Sequence, residues 1–310
     1  MIVSVENLVK RYGDLIALDH FNLHVEEGEI FGLLGPNGSG KTTAINCILS
    51  LLKYDKGTIE VFGKPMRPDS YESKRNIGIV MQNVAVLEEL NVYENIDYFC
   101  GLYVPDKKKR AELVEEAIQF VGLESYKKFY PSKLSGGLLR RLNIACGIAH
   151  KPRLVILDEP TVAVDPQSRN KILEGIKDLN KNGATIIYTS HYMEEVEKIC
   201  TRIAIMDKGK IVASGTNDEL KNMIKAGEKI TVELYVPNQE ILREIRYLPS
   251  VHSAELSGSK LLVKSDSGKN SLPAILEFLR LQSIPYGEVY CELPTLNDVF
   301  LEITGKELRD

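Results

Sequence analysis

The sequence predicts an α/β protein built on a parallel sheet covered on both faces, followed by a separate, smaller α+β unit. Three observations carry this. Short apolar runs at residues 30–34, 154–157, 185–188 and 203–206 alternate with helical stretches, the pattern of strands buried between layers of helices. The first of these runs leads directly into Gly35-Pro36-Asn37-Gly38-Ser39-Gly40-Lys41-Thr42-Thr43, so a buried strand feeds a glycine-rich turn and then a helix. Past residue 228 the pattern restarts in a different order, and 310 residues at about 150 per domain suggest two domains.

Taken in order, Ile2-Val3-Ser4-Val5 and residues 21–25 alternate in a strand-like way, punctuated by the Gly13-Asp14 and Glu27-Gly28 turns. They read as antiparallel strands ahead of the glycine-rich loop. A helix is expected over 43–52, a strand over 57–63, and another short apolar strand over 77–81. From 92 to 149 the pattern is helical, with Asn91 and Asp106 placed as caps, which implies a helical insertion. The basic run Lys107-Lys108-Lys109-Arg110 reads as a solvated helix start, because Glu112, Glu115 and Glu116 follow at pairing distance. The pattern breaks at Lys225-Ala226-Gly227-Glu228, giving expected domains of 1–225 and 228–310. The second reads strand 230–236, helix 239–247, strand 251–256, strand 260–264, helix 272–281, strand 286–293. That is the split β-α-β-β-α-β order of a ferredoxin-like unit.

Composition narrows the function classes. With 44% hydrophobic and 26% charged residues the chain can build a sizeable core and is not disordered. A net charge of −4 and a pI near 5.9 lack the basic footprint of a nucleic-acid binder, and no nucleic-acid partner is expected. Cys47, Cys100, Cys146, Cys200 and Cys291 are too scattered for a disulfide framework or a zinc site and read as reduced, mostly buried thiols. No apolar stretch approaches the roughly 20 residues that cross a bilayer, and Met1–Glu6 lacks the marks of a signal peptide. A channel is excluded.

The loop carries the first chemistry. Glycines let successive N–H groups curl around an anion, and a helix starting near Lys41 aims its positive end at the same point. Lys41 would reach the β- and γ-phosphates of ATP, and the Thr42 hydroxyl would ligate Mg²⁺. Asp158 and Glu159 end the 154–157 strand, where open α/β sheets place their ligand crevice. Alone, an acidic strand end is an ordinary turn. Coupled to the upstream loop, Asp158 would act on the Mg²⁺ shell and Glu159 would serve as general base for a water aligned with the γ-phosphate. Ser135-Gly136-Gly137 precedes a helical run over 138–149, where Ser135 can cap the helix and offer a second helix terminus to phosphate. Arg140 and Arg141 are expected on the surface of that arm.

Ser135-Gly136-Gly137 lying between the phosphate loop and Asp158-Glu159 resembles the signature of ABC ATPases. The fold this implies is a P-loop NTPase of ABC type with an antiparallel β-subdomain and a helical arm. The same resemblance assigns Gln82 to the glutamine loop that touches Mg²⁺ and the attacking water, and His191 to the switch on the γ-phosphate. It assigns Asp165 to the aspartate loop and Tyr12 to the ring that stacks on adenine. Leu138 departs from the family, where many members carry glutamine. The resemblance also implies a head-to-tail homodimer, in which Lys41, Glu159 and His191 of one copy and Ser135 with Gly137 of the other clasp each ATP.

Only about ninety residues separate the loop from the signature, which leaves no room for the long coiled coils of DNA-repair relatives. Tandem cassettes and zinc cysteines are also missing. The tail at 294–302 and His191-Tyr192-Met193-Glu194-Glu195 resemble ATPase subunits of bacterial multidrug, antibiotic-resistance and lipid-type exporters. The expected function is therefore an ATP-hydrolysing motor, bound at the cytoplasmic face of the membrane through a separate polytopic permease. The competing expectation is a soluble regulatory ATPase acting on a ribosome or nucleic acid without a permease.

Overall fold

A computed structural model describes residues 1–224, 226–266 and 269–305. The chain divides into two units, the first spanning Met1–Ser214 and the second beginning at Gly215. The break expected at 225–228 includes Lys225, which lies outside the described residues, as do the final five residues of the expected second domain.

The first unit holds two sheets. Strands β1 (Val3–Tyr12), β2 (Leu15–Val25), β4 (Lys56–Val61) and β5 (Lys64–Pro65) form an antiparallel sheet in the order β2-β1-β4-β5. β1 and β2 run longer than their alternation predicts because register shifts at Val5/Leu8 and Leu8/Lys10 put the hydrophobic pattern out of phase. The second sheet takes the order β10-β9-β3-β8-β7-β6. Its strands are β3 (Ile30–Leu34), β6 (Ile77–Val80), β7 (Leu154–Asp158), β8 (Thr185–Ser190), β9 (Arg202–Asp207) and β10 (Lys210–Gly215). From β9 to β6 the pairing is parallel.

Between the sheets lies helix α1 (Lys41–Ile48), sharing one core with Phe31, Leu33, Ile156 and Ile187 of the parallel sheet and with Val3, Val5, Phe21 and Leu23 of the antiparallel one. Burying each of the larger side chains contributes about 1.5–3 kcal/mol. The opposite face of β3 approaches α7 (Met193–Ile199) so closely that a Cβ on Gly32 would lie 2.8 Å from Cys200 Sγ. Short α2 (Tyr71–Lys74) precedes β6, and α6 (Pro166–Lys181) follows β7.

Helices α3 (Val92–Gly101), α4 (Lys107–Val121) and α5 (Gly136–Ile148) form the expected insertion. Asn91 and Glu94 make a reciprocal capping box on α3, and Asp106 accepts from Lys109 N to cap α4. The charges of α4 pair differently from the within-helix expectation. Arg110 bonds Asp97 on α3 at 2.7 Å, Glu115 pairs with Lys127 and Glu116 with Lys151, so this helix is tied to its surroundings rather than to itself.

The second unit contains α8 (Asn217–Asn222), β11 (Ala226–Leu234), α9 (Gln239–Arg246), β12 (Val251–Ser257), β13 (Lys260–Asp266), α10 (Leu272–Leu281), β14 (Tyr286–Glu292) and α11 (Leu296–Thr304). The sheet order β12-β13-β11-β14 is all antiparallel, the ferredoxin-like arrangement. Leu242 and Ile245 of α9 and Ile275 and Leu279 of α10 share one core with Ile230, Val232, Leu261 and Val263 of the sheet. The unit starts before the expected break because α8, opened by a Thr216/Glu219 capping box, packs against α11.

Candidate functional site

The parallel register sets the site. Leu34 pairs with Ser190 and Asp158 with Thr189, so the carboxyl ends of β3, β7 and β8 lie side by side. Beyond β3 the chain must turn without side chains in two places. A Cβ on Gly35 would collide with the Met206 carbonyl oxygen, and Gly40 adopts φ 108° as the residue before α1. No side chain caps α1, which leaves the N–H groups of its first turn aimed into the loop. Pro36 is half-buried, Asn37 and Gly38 form its exposed tip, and Thr43 sits half-buried in the first turn of α1. Lys41 is only 5% exposed, and its Nζ donates to the carbonyls of Gly35 at 2.7 Å and Pro36 at 3.2 Å.

Asp158, fully buried, accepts from Thr42 Oγ1 at 2.9 Å and from Thr189 Oγ1 at 2.6 Å. Glu159 follows with φ 48°, a left-handed conformation that a non-glycine residue keeps only when its surroundings impose it. Three groups meet its carboxylate: Lys41 Nζ at 3.2 Å, Gln82 Nε2 donating at 3.3 Å, and His191 Nδ1 at 3.5 Å. Lys41 opens α1 beyond β3, Gln82 follows β6 and His191 follows β8. His191 Nδ1 and Ser39 Oγ are buried without a hydrogen-bond partner, the kind of unmet polar atom that a bound ligand can satisfy.

A second cluster gathers around the start of α5. Ser135 accepts from Leu138 N at 3.4 Å, a long cap, and both Ser135 and Gly136 are exposed while Gly137 is buried. A Cβ on Gly137 would meet Ser168 Oγ at 2.5 Å and Asp165 Oδ2 at 3.0 Å. Asp165 in turn caps α6 by accepting from Ser168 N at 2.9 Å, bonds that hold its carboxyl below the usual range. Tyr12 stands apart at the end of β1, half exposed, with Lys10 Nζ 4.9 Å from its ring centre. Among the described residues no hydrogen bond or ion pair joins Ser135 or Tyr12 to the Lys41–Glu159 group.

Sequence reasoning missed three residues. Arg140 does not line the surface of the arm; it is 3% exposed and donates to main-chain carbonyls at the ends of β6 and β7. Burial presses its guanidinium below the usual value, opposed by Asp158, Tyr188 and Glu159. The signal was its spacing, since Gly137, Arg140, Ile144 and Ile148 form one buried helical stripe. Arg141 is half-buried and donates to the carbonyls of Val121 and Gly122, tying down the end of α4. Glu195, four residues past His191, is buried and accepts from Thr161 at 2.7 Å, Tyr188 at 2.6 Å and Ser190 at 3.2 Å, with Arg169 3.3 Å away.

A buried lysine at the end of a glycine-rich loop, paired with Glu159 beside the Thr42–Asp158 bond, defines a nucleotide-hydrolysing P-loop protein. Residues 18–162 match the ABC transporter family, and residues 215–304 match the ATP-binding protein DrrA1-3-like C-terminal domain. The chain is 38% identical to the linearmycin resistance ATP-binding protein LnrL of Bacillus subtilis, with 100% of both covered. It is 32% identical to the daunorubicin resistance ATP-binding protein DrrA3 of Streptomyces coeruleorubidus, over 99% of this chain and 97% of that one. Identity to a Nod factor export ATP-binding protein I of Cupriavidus metallidurans is 34%, over 100% and 99%. Among solved structures, it aligns with a dimeric ATP-binding cassette in a post-hydrolysis state bound to ADP and Pi, with a TM-score of 0.64, 27% identity, and 69% of this chain and 98% of that one covered. The chain belongs to the family of ABC transporter ATP-binding proteins, and its activity is ATP hydrolysis.

Proposed function

We propose that this chain is the motor of an exporter, working as a homodimer that closes on two ATP molecules and drives a separate polytopic permease. The carrying observation is the convergence of Lys41, Gln82 and His191 on the Glu159 carboxylate beside the Thr42–Asp158 pair. Lys41 neutralises the negative charge of the phosphates. Glu159 accepts a proton from the attacking water, which Gln82 and His191 orient. Mg²⁺ suits this donor set, one carboxylate with a hydroxyl and an amide, since the ion binds through one or two carboxylates together with substrate phosphates. Thr42, Asp158 and Gln82 would hold it, and when bound it supplies neutralisation of phosphate charge.

Ser135, Gly136 and Gly137 serve the nucleotide of the other copy, a reading supported by the exposure of Ser135 and Gly136 and by the lack, among the described residues, of any hydrogen bond or ion pair from Ser135 to the protomer's own Lys41–Glu159 group. Asp165, packed against Gly137, sits at the same subunit junction, and the exposed ring of Tyr12 stacks on adenine. Relatives named for resistance and export support outward transport, and they favour a transporter motor over a soluble regulatory ATPase. Among the described residues no helix is long and apolar enough to cross a membrane. In this reading the permease supplies the attachment to the cytoplasmic face.

Glu159→Gln tests the reading. The variant keeps ATP binding, loses about 10²–10⁴-fold in turnover, the usual worth of a general base, and accumulates an ATP-bound dimer. Near-normal hydrolysis would move the base elsewhere. Copurification from solubilised membranes should recover a multi-span membrane protein, whereas recovery with ribosomes would support the regulatory alternative.

A further inference from the structure

Arg140 is a buried cation, and among the described residues no carboxylate forms an ion pair with it. Its partners are carbonyls. Nε donates to Pro160 O at 2.7 Å, Nη1 to Met81 O at 2.9 Å and Gln82 O at 2.8 Å, and Nη2 to Glu159 O at 2.7 Å and Asp158 O at 3.4 Å. A guanidinium has five N–H groups in a fixed fork, and here each has an acceptor. Two acceptors lie just past β6 on the segment that carries Gln82, three lie at the end of β7 around Glu159, and the donor sits on α5 five residues after Ser135.

Asp158 and Glu159 lie near enough to offset part of the cost of burying this charge, but neither makes an ion pair with it, and desolvating a charge is costly, so the clamp is an expensive way merely to fill space. What it fixes is local. The carbonyls on both sides of the Glu159–Pro160 bond are held, and Glu159 is the residue kept at φ 48°. A strained backbone persists where neighbouring groups over-determine it. The conformation that aims Glu159 at Lys41 is thus pinned by the same side chain that pins Gln82.

We infer that Arg140 is a positioning residue for hydrolysis, holding the Gln82 and Glu159 backbones in register with the helix that presents Ser135. This rests on the site roles proposed above. It follows that movement of the Ser135 helix on dimer closure is transmitted to Gln82 and Glu159 through one guanidinium.

The test uses Arg140→Lys and Arg140→Gln in the full chain, with ATP affinity, turnover and melting temperature measured for each. An ammonium has three donors and no fork, so Lys should rescue folding better than turnover. Turnover is expected to fall about 10- to 100-fold, the effect of displacing reacting groups by about an ångström. Protomer ATP affinity should stay within about twofold, because uniform binding is untouched. In combination with Gln82→Ala the losses should be less than multiplicative, since both act through Gln82. A lowered melting temperature with turnover within about twofold of the parent, or losses that multiply in the double variant, would overturn the inference. Glu159→Gln run in parallel separates the two failures. If that variant is inactive while both Arg140 variants turn over normally, only the Arg140 inference fails; if it hydrolyses ATP normally, the site roles fail first.

Discussion

Two glycine-rich helix starts lie in the same unit and are built in opposite ways. At α1 no side chain caps the helix, the lysine that opens it is buried, and its ammonium is bonded to two loop carbonyls and one carboxylate. At α5 a serine caps the helix with a long bond, and the serine and the first glycine are open to solvent. The first is dense and self-contained; the second is sparse and presents its donors outward. The difference teaches that one start is closed within its own fold, while the other, on the function proposed above, is completed by a second copy.

Between the two starts, the largest expected effect strikes the sparse one. Ser135→Arg should reduce hydrolysis by about 10²–10³-fold, the scale of losing one preorganised donor at a developing charge, while ATP affinity of the isolated protomer and its melting temperature remain those of the parent. Retained turnover would dissolve the contrast, because the exposed start would then have no catalytic share.

Next comes the anchorage of α5 at its far end. His150 stacks on Tyr103 with ring centres 3.9 Å apart and faces the Ile77 carbonyl at 3.3 Å, and burial pushes its pKa down to about 4 from 6.5. The unfolded chain takes up the proton first, so this contribution is complete above about pH 6.5 and is lost as pH falls toward 4. The loss amounts to about 3 kcal/mol at most. Melting curves of the parent and His150→Gln across that window should converge in acid; parallel curves would show that the ring does not titrate on unfolding.

A smaller effect separates the glycines. Gly35→Ala places a methyl against the Met206 carbonyl and should destabilise the protomer by about 1–3 kcal/mol, the range of overpacking. At Gly136 the nearest atom to a new Cβ is 4.0 Å away, so Gly136→Ala should leave protomer stability within about 0.5 kcal/mol. Equal losses of protomer stability at both positions would mean that the two starts do not differ in tightness.

What was legible in the sequence followed from local rules. The phosphate loop, the caps at Asn91, Asp106 and Ser135, and the acidic end of β7 are each specified within a few residues, where turn, helix and strand chemistry act. The burial of Arg140 was legible in the stripe of α5, but its bonding was not, because its acceptors are main-chain carbonyls up to 59 positions away and no side-chain pattern announces a carbonyl. Arg110 was misread for a related reason, since the nearer glutamates on its helix gave way to Asp97 across the helix pair. The Thr216/Glu219 box was available as a helix start and argues for a unit beginning near Gly215, but the composition break at 225–228 drew the boundary later.

Lys41 and Glu159 hold one another 3.2 Å apart, each nearly sealed from water. Such a couple behaves as a safety catch. On the roles proposed above, the base is masked by the cation and the cation by the base, so that an anion able to outbid a carboxylate for the ammonium arms it. A nucleoside without phosphates carries no such charge, and charge is therefore screened before any bond is broken.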